Sequence, residues 1–299
     1  MALTCHSRLR LGSAPAASRG LLTSRAPTRI FGATSGDVDS LPGPSGAFEP
    51  GLEADSRQRL FNRIAPVYDE LNNRLSFGQH WVWKQSTVKW SGARPGHRVL
   101  DVCCGSGDIA FLLAKLVGVR GQVVGLDFAA EMLADASGRQ GRGHVPGLEA
   151  YRTPMEWVQG DACALPFGDN EFDAATMGYG LRNVRDRPGA LSELHRVLRP
   201  GASAAVLDFN NSNDPVIDGA QAWFLETLVV PAARAYDVAE EYEYLRPSIK
   251  AFPTGPEQVA LALQAGFVEA THHELGFGLM GCLVVTKGRG RASAAPYKN

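Results

Sequence analysis

Two aspartates and a glycine turn are the residues whose types and spacing best suit chemistry. Asp101 lies at the end of a short apolar run, and Gly105, Ser106 and Gly107 follow it before a segment of helical period. A glycine turn at the start of a helix presents unpaired backbone N–H groups to an anionic ligand. Asp127 closes the next apolar run, where a carboxylate can accept hydrogen bonds from both hydroxyls of a ribose. The spacing predicts a nucleotide-type cofactor site.

The same turn also satisfies the loose dinucleotide fingerprint, with Ala110 in its third position. Asp101, however, would place a negative charge against a pyrophosphate. The methionine part of S-adenosylmethionine fits better, because its ammonium can meet Asp101 while its carboxylate meets the backbone N–H groups. S-adenosylmethionine is therefore the predicted cofactor, with an NAD-type oxidoreductase as the alternative. No Tyr is followed four residues later by Lys, so the commonest catalytic pair of short-chain reductases is missing.

A third acid follows a third apolar run, at Asp161-Ala162. Its carboxylate can accept a hydrogen bond from the exocyclic amine of adenine while the N–H of Ala162 donates to a ring nitrogen. One aspartate at a strand end can be a turn or cap residue only. Three on successive strands are harder to explain as caps, because ligands of parallel sheets bind at the carboxyl ends of the strands.

The elements that must position these residues alternate between strand and helix. Such alternation is typical of an α/β fold with a parallel sheet and right-handed crossovers. The predicted strands are Val99–Cys103, Gln122–Asp127, Met155–Gln159, Phe172–Gly178 and Ala204–Phe209, and the predicted helices are Asp108–Val117, Ala129–Arg139 and Pro188–Leu198. Phe267–Leu275 and Leu279–Thr286 read as a final antiparallel hairpin.

Residues 1–50 differ in composition from the rest of the chain. Up to Gly36 there is no Asp or Glu, and residues 41–51 form a Pro/Gly spacer. The segment lacks the apolar stretch of a secretory signal, and its positive charges are Arg8, Arg10, Arg19, Arg25 and Arg29. This composition is typical of an organelle transit peptide. The Ser, Ala and Gly content favours the chloroplast, with the mitochondrion as the alternative.

Three further segments surround the predicted α/β core. Residues 55–92 have helical character and predict an N-terminal cap over the substrate opening, or else a packing helix. Residues 210–250 form an insertion in which Gln221–Val230 is strongly apolar and Pro231 interrupts the helix. The insertion is either a lid lining an apolar channel or a helix packed on the core, and general residue statistics favour packing. Residues 288–299 predict a disordered tail.

Composition excludes several classes of protein. A formal net charge of −1 argues against a general nucleic-acid binder, which needs clustered Lys and Arg. No apolar run approaches the roughly 18 residues of a membrane span, so any membrane contact must be peripheral. Cys103, Cys104, Cys163 and Cys282 show neither a C-x-x-C pair nor zinc spacing, so buried hydrophobes are expected and no metal.

The chain contains several further motifs: Tyr68, Asp69, Asn72, Ser76, His80 and Trp83, then Asp161-Ala162 with Leu165-Pro166-Phe167, then Gly178–Val184. With these motifs the chain resembles, from Asp55 to Lys287, the MenG/UbiE/COQ5 quinone C-methyltransferase family. The chain departs from the family's second signature at Arg199-Pro200-Gly201-Ala202. Ser106 stands where many members have Thr, and Gly178 stands where many have Ser. The adjacent Cys103-Cys104 is similar to the plant and algal branch, which methylates demethylphylloquinone in chloroplasts.

The resemblance implies a class I, Rossmann-like methyltransferase fold with a seven-stranded, mostly parallel sheet. It implies methyl transfer from S-adenosylmethionine to a ring carbon of a phytyl-bearing naphthoquinol, with Gly178 among the cofactor-binding residues. Arg182 and Asn183 are the expected catalytic residues near the ring hydroxyl, and Tyr68, His80 and Tyr179 the weaker candidates for the substrate pocket. A homodimer is possible within the family. A mitochondrial benzoquinol methyltransferase of ubiquinone biosynthesis and a non-catalytic S-adenosylmethionine-binding module remain alternatives.

Overall fold

The computed structural model describes residues 28–29, 76, 78–141, 152–234 and 245–289. The predicted transit peptide, the cap residues 55–75 and the final ten residues therefore lie almost wholly outside the described residues. The strands are β1 (Thr28–Arg29), β2 (Arg98–Val102), β3 (Gln122–Asp127), β4 (Met155–Gln159), β5 (Phe172–Gly178), β6 (Leu198–Phe209), β7 (Glu269–Leu275) and β8 (Met280–Thr286).

Helices connect the strands and cover both faces of the sheet. They are α1 (Gln79–Trp90), α2 (Asp108–Val117), α3 (Ala130–Gly141), α4 (Arg187–Val197), α5 (Pro215–Phe224), α6 (Val230–Arg234), α7 (Leu245–Lys250) and α8 (Gly255–Gln264). Short 3-10 turns occupy Leu181–Asn183 and Gly276–Gly278, and a π-helical turn at Leu225–Val229 joins α5 to α6. Within the described residues, no helix is both long and apolar enough to cross a membrane.

The sheet has the strand order β1-β7-β8-β6-β5-β2-β3-β4. Strands β2 to β6 are mutually parallel, and β8 runs antiparallel between β6 and β7. The predicted seven strands and C-terminal hairpin are confirmed, and the two-residue β1 pairs with β7 as an eighth. The chain order reverses between β2 and β5, and such a switch point is where α/β sheets bind ligands.

The core lies on both faces of the central strands, as expected for a parallel sheet. Alternate residues of β2 point to opposite faces. Val99 packs in a cluster with Leu113 of α2, whereas Leu100 packs in a cluster with Leu194 of α4. Asp101 lies on the same face as Val99, which is the face that α2 covers. The sheet thereby aims the Asp101 side chain at the start of α2.

Strand β6 begins at Leu198, six residues before the predicted start at Ala204. The Pro200-Gly201 turn was expected to separate helix from strand. Instead, Gly201 N–H donates to the carbonyl of Lys287 at 3.0 Å and Lys287 N–H donates to the carbonyl of Ala202 at 2.9 Å. These bonds to the end of β8 hold the turn against the sheet.

Pro231 was expected to interrupt the helix of the insertion, and this is wrong. The helical body continues from α5 through the π-helical turn into α6. The π-helical turn changes the hydrogen-bond register just before Pro231, whose missing N–H would otherwise disrupt the helix. Leu225 and Val229 are buried in one cluster with Met132 of α3. The inner face of this body therefore packs on the core.

Candidate cofactor and substrate site

A cavity of about 420 Å³ opens at the carboxyl ends of β2, β3 and β5. This is the switch point of the sheet, where the sequence predicted the site. The predicted residues that line it are Asp101, Gly105, Ser106, Asp127, Asp161, Ala162, Gly178, Tyr179 and Asn183. Gly107, Arg182 and His80 do not line it, and Tyr68 lies outside the described residues.

The two glycines of the turn have different tasks. Gly105 has φ +53°, and no atom lies within 4 Å of the position that a Cβ would occupy, so its backbone faces the open cavity. Gly107 has φ +92° and precedes α2, but its Cβ would lie 2.9 Å from Trp157 and 3.0 Å from Phe111. Gly107 is therefore required for the turn and for close packing.

Asp101 is a buried carboxyl group with one partnerless oxygen. Its side chain accepts a hydrogen bond at Oδ1 from the hydroxyl of Thr176, at 2.7 Å. Oδ2 is buried and accepts no hydrogen bond of good geometry from the described residues. Burial raises the pKa of Asp101 to about 7, although the Thr176 hydroxyl and the nearby Ala110 amide oppose the shift. A cation in the cavity would satisfy Oδ2 and favour the carboxylate.

Asp127 ties the end of β3 to the glycine turn. Its Oδ2 accepts a hydrogen bond from the N–H of Gly105 at 2.8 Å, and its Oδ1 accepts one from the N–H of Ala129 at 3.0 Å. Burial raises the pKa of Asp127, while these backbone bonds oppose the shift. Each carboxylate oxygen has a second lone pair for a ligand hydroxyl. Asp161 is exposed, and its Oδ1 accepts a hydrogen bond from the N–H of Cys163 at 2.9 Å, which shapes the next turn.

Two turns in left-handed backbone conformation border the cavity and approach each other closely. Cys103 has φ 55° and Tyr179 has φ 59°, which is uncommon for residues other than glycine. A Cβ on Gly180 would lie 2.6 Å from the Cβ of Cys103, so only glycine fits between the turns. Such strained backbone clusters at functional sites. The close approach fixes the loop after β5 against the glycine turn.

Arg182 is not placed as its predicted contact with the ring hydroxyl requires. Its guanidinium is buried, donating from Nε to Asp208 Oδ1 at 3.2 Å and from Nη1 to the hydroxyl of Ser248. Its backbone N–H also donates to Asp208 Oδ2 at 3.0 Å. These partners hold the guanidinium away from the cavity lining. Asn183 and Arg185 of the same loop do line the cavity.

His80 is buried on α1, and neither of its ring nitrogens has a hydrogen-bond partner in the described structure. Burial lowers its pKa to about 4, with a further contribution from the charge of Lys84. The neutral ring lies against Trp81, at 5.0 Å between centroids. Its place is in the packing of α1, which differs from the predicted pocket role.

A buried ion cluster beside the cavity was missed by the sequence reasoning. Lys84 of α1 donates to Asp108 Oδ2 at 2.6 Å, and Arg139 of α3 donates to Asp108 Oδ1 at 2.8 Å. Burial opposes ionisation of Asp108, but the two cations hold its pKa below the usual value. Lys84 and Asp108 both line the cavity. The only available signal was Asp108 in the first turn of α2, where an acid also suits the helix dipole.

The four cysteines among the described residues are unpaired. Cys104 and Cys282 are buried and Cys103 and Cys163 are half-buried, and all four are free thiols. Burial raises the pKa of each of them. Across the part of the chain that the structure describes, no group of three His, Cys, Asp or Glu side chains could hold a metal ion.

The fold is Rossmann-like with a ligand cavity at its switch point, and the comparisons give its family. A model of the ubiE/COQ5 methyltransferase family matches residues 51–287, so the chain belongs to this family. A methyltransferase of Methanococcus maripaludis, described as S-adenosyl-L-methionine-dependent, superimposes with a TM-score of 0.55 at 16% identity. The match covers 78% of this chain and 96% of that one. The predicted fold class is confirmed.

Two relatives are similar over most of their length. The chain is 56% identical to the 2-phytyl-1,4-naphthoquinone methyltransferase of Synechocystis, over 78% of this chain and 95% of that one. It is 53% identical to the chloroplastic 2-phytyl-1,4-beta-naphthoquinone methyltransferase of Arabidopsis thaliana, over 78% and 88%. The predicted resemblance is confirmed, and methyl transfer replaces the NAD-type alternative.

Proposed function

We propose that this protein transfers a methyl group from S-adenosylmethionine to a ring carbon of reduced 2-phytyl-1,4-naphthoquinone. The observation that carries the proposal is Oδ2 of Asp101, a buried oxygen of a cavity-lining residue that accepts no hydrogen bond of good geometry from the described residues, at the switch point of the sheet. The choice of substrate comes from the two naphthoquinone methyltransferases, whose sequences match more than half of the aligned positions.

The lining residues fit S-adenosylmethionine part by part. Oδ2 of Asp101 can accept from the methionine ammonium, and Asp127 has free lone pairs for the ribose hydroxyls. Ala162 presents a backbone N–H for adenine beside the exposed carboxylate of Asp161. Met132 and Phe128 add apolar lining on the adenine side. When bound, the cofactor supplies an electrophilic methyl group on its sulfonium.

The chain has two tasks toward the naphthoquinol. A neutral ring carbon is a poor nucleophile, so the neighbouring ring hydroxyl must lose its proton and place negative charge on that carbon. We assign Asn183 to orient the ring hydroxyl, because this residue lines the cavity on the loop after β5 and its side-chain amide is held by the carbonyl of Tyr179 at 3.2 Å. Arg185, the arginine of that loop which lines the cavity, supplies a positive charge for the ring oxygen.

Arg182 then acts as a positioning residue. Its bonds to Asp208 of β6 and Ser248 of α7 anchor the loop that carries Asn183. Precise placement matters because methyl transfer needs the ring carbon in line with the sulfonium methyl, and small displacements cost large factors in rate. Tyr179 closes the same loop against Phe209, at 6.0 Å between ring centroids.

A chloroplast location is part of the proposal. It is supported by the printed name of the Arabidopsis relative and by the basic, acid-free composition of residues 1–36. The mitochondrion remains the alternative, and it would go together with a benzoquinol substrate. Import of the fluorescently tagged full chain into plastids or mitochondria separates the two.

Two measurements with the purified full chain test the activity. S-adenosylhomocysteine should raise the melting temperature and NAD should not, because binding to the folded state alone stabilises it. Methyl-labelled S-adenosylmethionine should then label 2-phytyl-1,4-naphthoquinone that has been chemically reduced, and leave the oxidised form unlabelled. Equal labelling of both forms would contradict the proposed role of the ring hydroxyl, and labelling of neither would contradict the proposed activity.

A further inference from the structure

The helical body of the insertion carries apolar side chains on its outer side as well as on the inner side that packs on the core. On its inner side, Gln221 donates to the carbonyls of Asn210 and Leu279 at 3.1 and 3.2 Å. Asp218 pairs with Arg246 at 2.8 Å and with Lys250 at 2.6 Å. A helix at a protein–water boundary normally has charged and polar residues on its outer face.

The outward side carries almost no charge. Val216 is 79% exposed, Trp223 is 60% exposed and Leu228 is 39% exposed. Val216 and Trp223 are seven residues apart, so they lie on one face of the helix. Between residues 215 and 231, the only charged residue among the exposed ones is Glu226; the others are Pro215, Val216, Gly219, Ala220, Trp223, Thr227, Leu228 and Pro231.

The tip of the β7–β8 hairpin extends this surface. Phe277 is 85% exposed, at the turn between the two strands, with φ 58°. A Cβ on the neighbouring Gly278 would lie 2.7 Å from Ile217, so the tip packs directly on α5. Phe209 at the end of β6 pairs with Met280 at the start of β8. The tip therefore lies at the same edge of the sheet as the cavity.

The opposite side of the helical body borders the cavity. Leu225 and Val229 are buried in one cluster with Met132, and Phe128 packs against that cluster. Met132 and Phe128 both line the cavity. One helical body thus separates the cofactor cavity from the apolar surface. A substrate tail that leaves the cavity beside this body reaches that surface within the thickness of a single helix.

We propose that Val216, Trp223, Leu228 and Phe277, which we call the apolar outer surface, dock on a lipid bilayer. The inference rests on the proposed function, because a phytyl-bearing naphthoquinol resides in the bilayer and must be taken from it. Trp and Phe side chains suit the boundary between acyl chains and water, and an uncharged face lowers the penalty for entering it. The cavity and the apolar outer surface lie at the same edge of the sheet, so both face the bilayer in the docked protein.

The test uses the full chain and phosphatidylcholine vesicles, with and without phosphatidylglycerol. The doubly substituted protein Trp223→Gln, Phe277→Asn removes two exposed rings, and Asn tolerates the left-handed backbone at position 277. Vesicle co-sedimentation should weaken about tenfold or more, as expected for the loss of two large apolar contacts. Val119→Ser is the matched control, because Val119 is 59% exposed in the turn before β3, at the other edge of the sheet.

Two further readouts separate failure of this inference from failure of the proposed function. Binding of S-adenosylhomocysteine and methylation of tail-free 1,4-naphthoquinol in solution should be the same in the variant and the unsubstituted protein. Absence of methylation with normal vesicle binding would contradict the proposed function alone. No vesicle binding, binding that the double substitution leaves unchanged, or a change from dimer to monomer in the variant would overturn the docking surface.

Discussion

Replacing Asp101 with Asn tests the cofactor site most sharply, because the change keeps the shape and removes the charge. In the unsubstituted protein, Oδ2 of Asp101 is buried and accepts no hydrogen bond of good geometry within the described part of the chain, and its proposed partner is the methionine ammonium. A hydrogen bond to a charged group contributes about 1.5–3 kcal/mol. Loss of this bond should therefore weaken S-adenosylhomocysteine binding by about 10- to 150-fold, measured by isothermal titration calorimetry.

The pH dependence of binding provides a second, independent number. Burial raises the pKa of Asp101 to about 7, so its carboxyl group is mostly protonated at lower pH. It must then lose that proton before it can accept a hydrogen bond from an ammonium group. The ionised fraction rises about eightfold between pH 6 and pH 7.5 for a group with this pKa. S-adenosylhomocysteine should therefore bind about eightfold more tightly at pH 7.5 than at pH 6. The Asp101→Asn variant should lose this pH dependence of binding.

Stability should move in the opposite direction to binding. The folded protein holds a proton on Asp101 up to about pH 7, whereas the ordinary pKa of an aspartate in an unfolded chain is 3.8. Because the native state binds more protons in this window, the free energy of unfolding should fall as pH rises from 4 to 7, by up to about 4 kcal/mol. Asp101→Asn should remove this part of the decline.

Asp173→Asn is the matched control, because Asp173 lies at the far end of β5 and pairs with Arg199. It should leave the binding constant unchanged. The reasoning is refuted if Asp101→Asn binds S-adenosylhomocysteine within twofold of the unsubstituted protein, or if both show the same pH dependence of binding.

Four further substitutions probe the surroundings of the cavity. Lys84→Met leaves Asp108 with one cation in a buried site, so the free energy of unfolding in urea should fall by about 1–3 kcal/mol; an unchanged value would show that the pair contributes nothing. Gly180→Ala places a Cβ 2.6 Å from the facing cysteine and should lower kcat at least tenfold, as seen in a methyl-transfer assay. Arg182→Lys should lower both kcat and the melting temperature while cofactor binding stays unchanged. Arg185→Gln should lower kcat alone. Equal losses of melting temperature in the two variants would contradict these separate roles.

The central sheet was predictable because its signals are local. The bounds of β3, β4 and β5 agree with the predicted ones, since each is an apolar run closed by a turn. The start of β6 was not predictable, because the bonds that hold Gly201 to the sheet come from Lys287, far along the chain. A local pattern of Pro and Gly cannot show such a partner.

The site also contains residues that local sequence signals predict and residues whose orientation depends on distant partners. Asp101, Asp127 and Asp161 follow their strands, so parallel topology brings them to one edge. The orientation of Arg182 depends on Asp208 and Ser248, which are 26 and 66 residues away in sequence. A charged residue next to a motif therefore indicates the region of the site, while its partners decide whether it faces the ligand.

The most direct test of the central claim is a competition in one vessel. The protein is given methyl-labelled S-adenosylmethionine with equal amounts of reduced 2-phytyl-1,4-naphthoquinone and a reduced, demethylated prenyl benzoquinone, and the label in each product is measured after separation. Our account predicts label in the naphthoquinol in large excess over the benzoquinol. Label in the benzoquinol in excess, or in neither product, would contradict it.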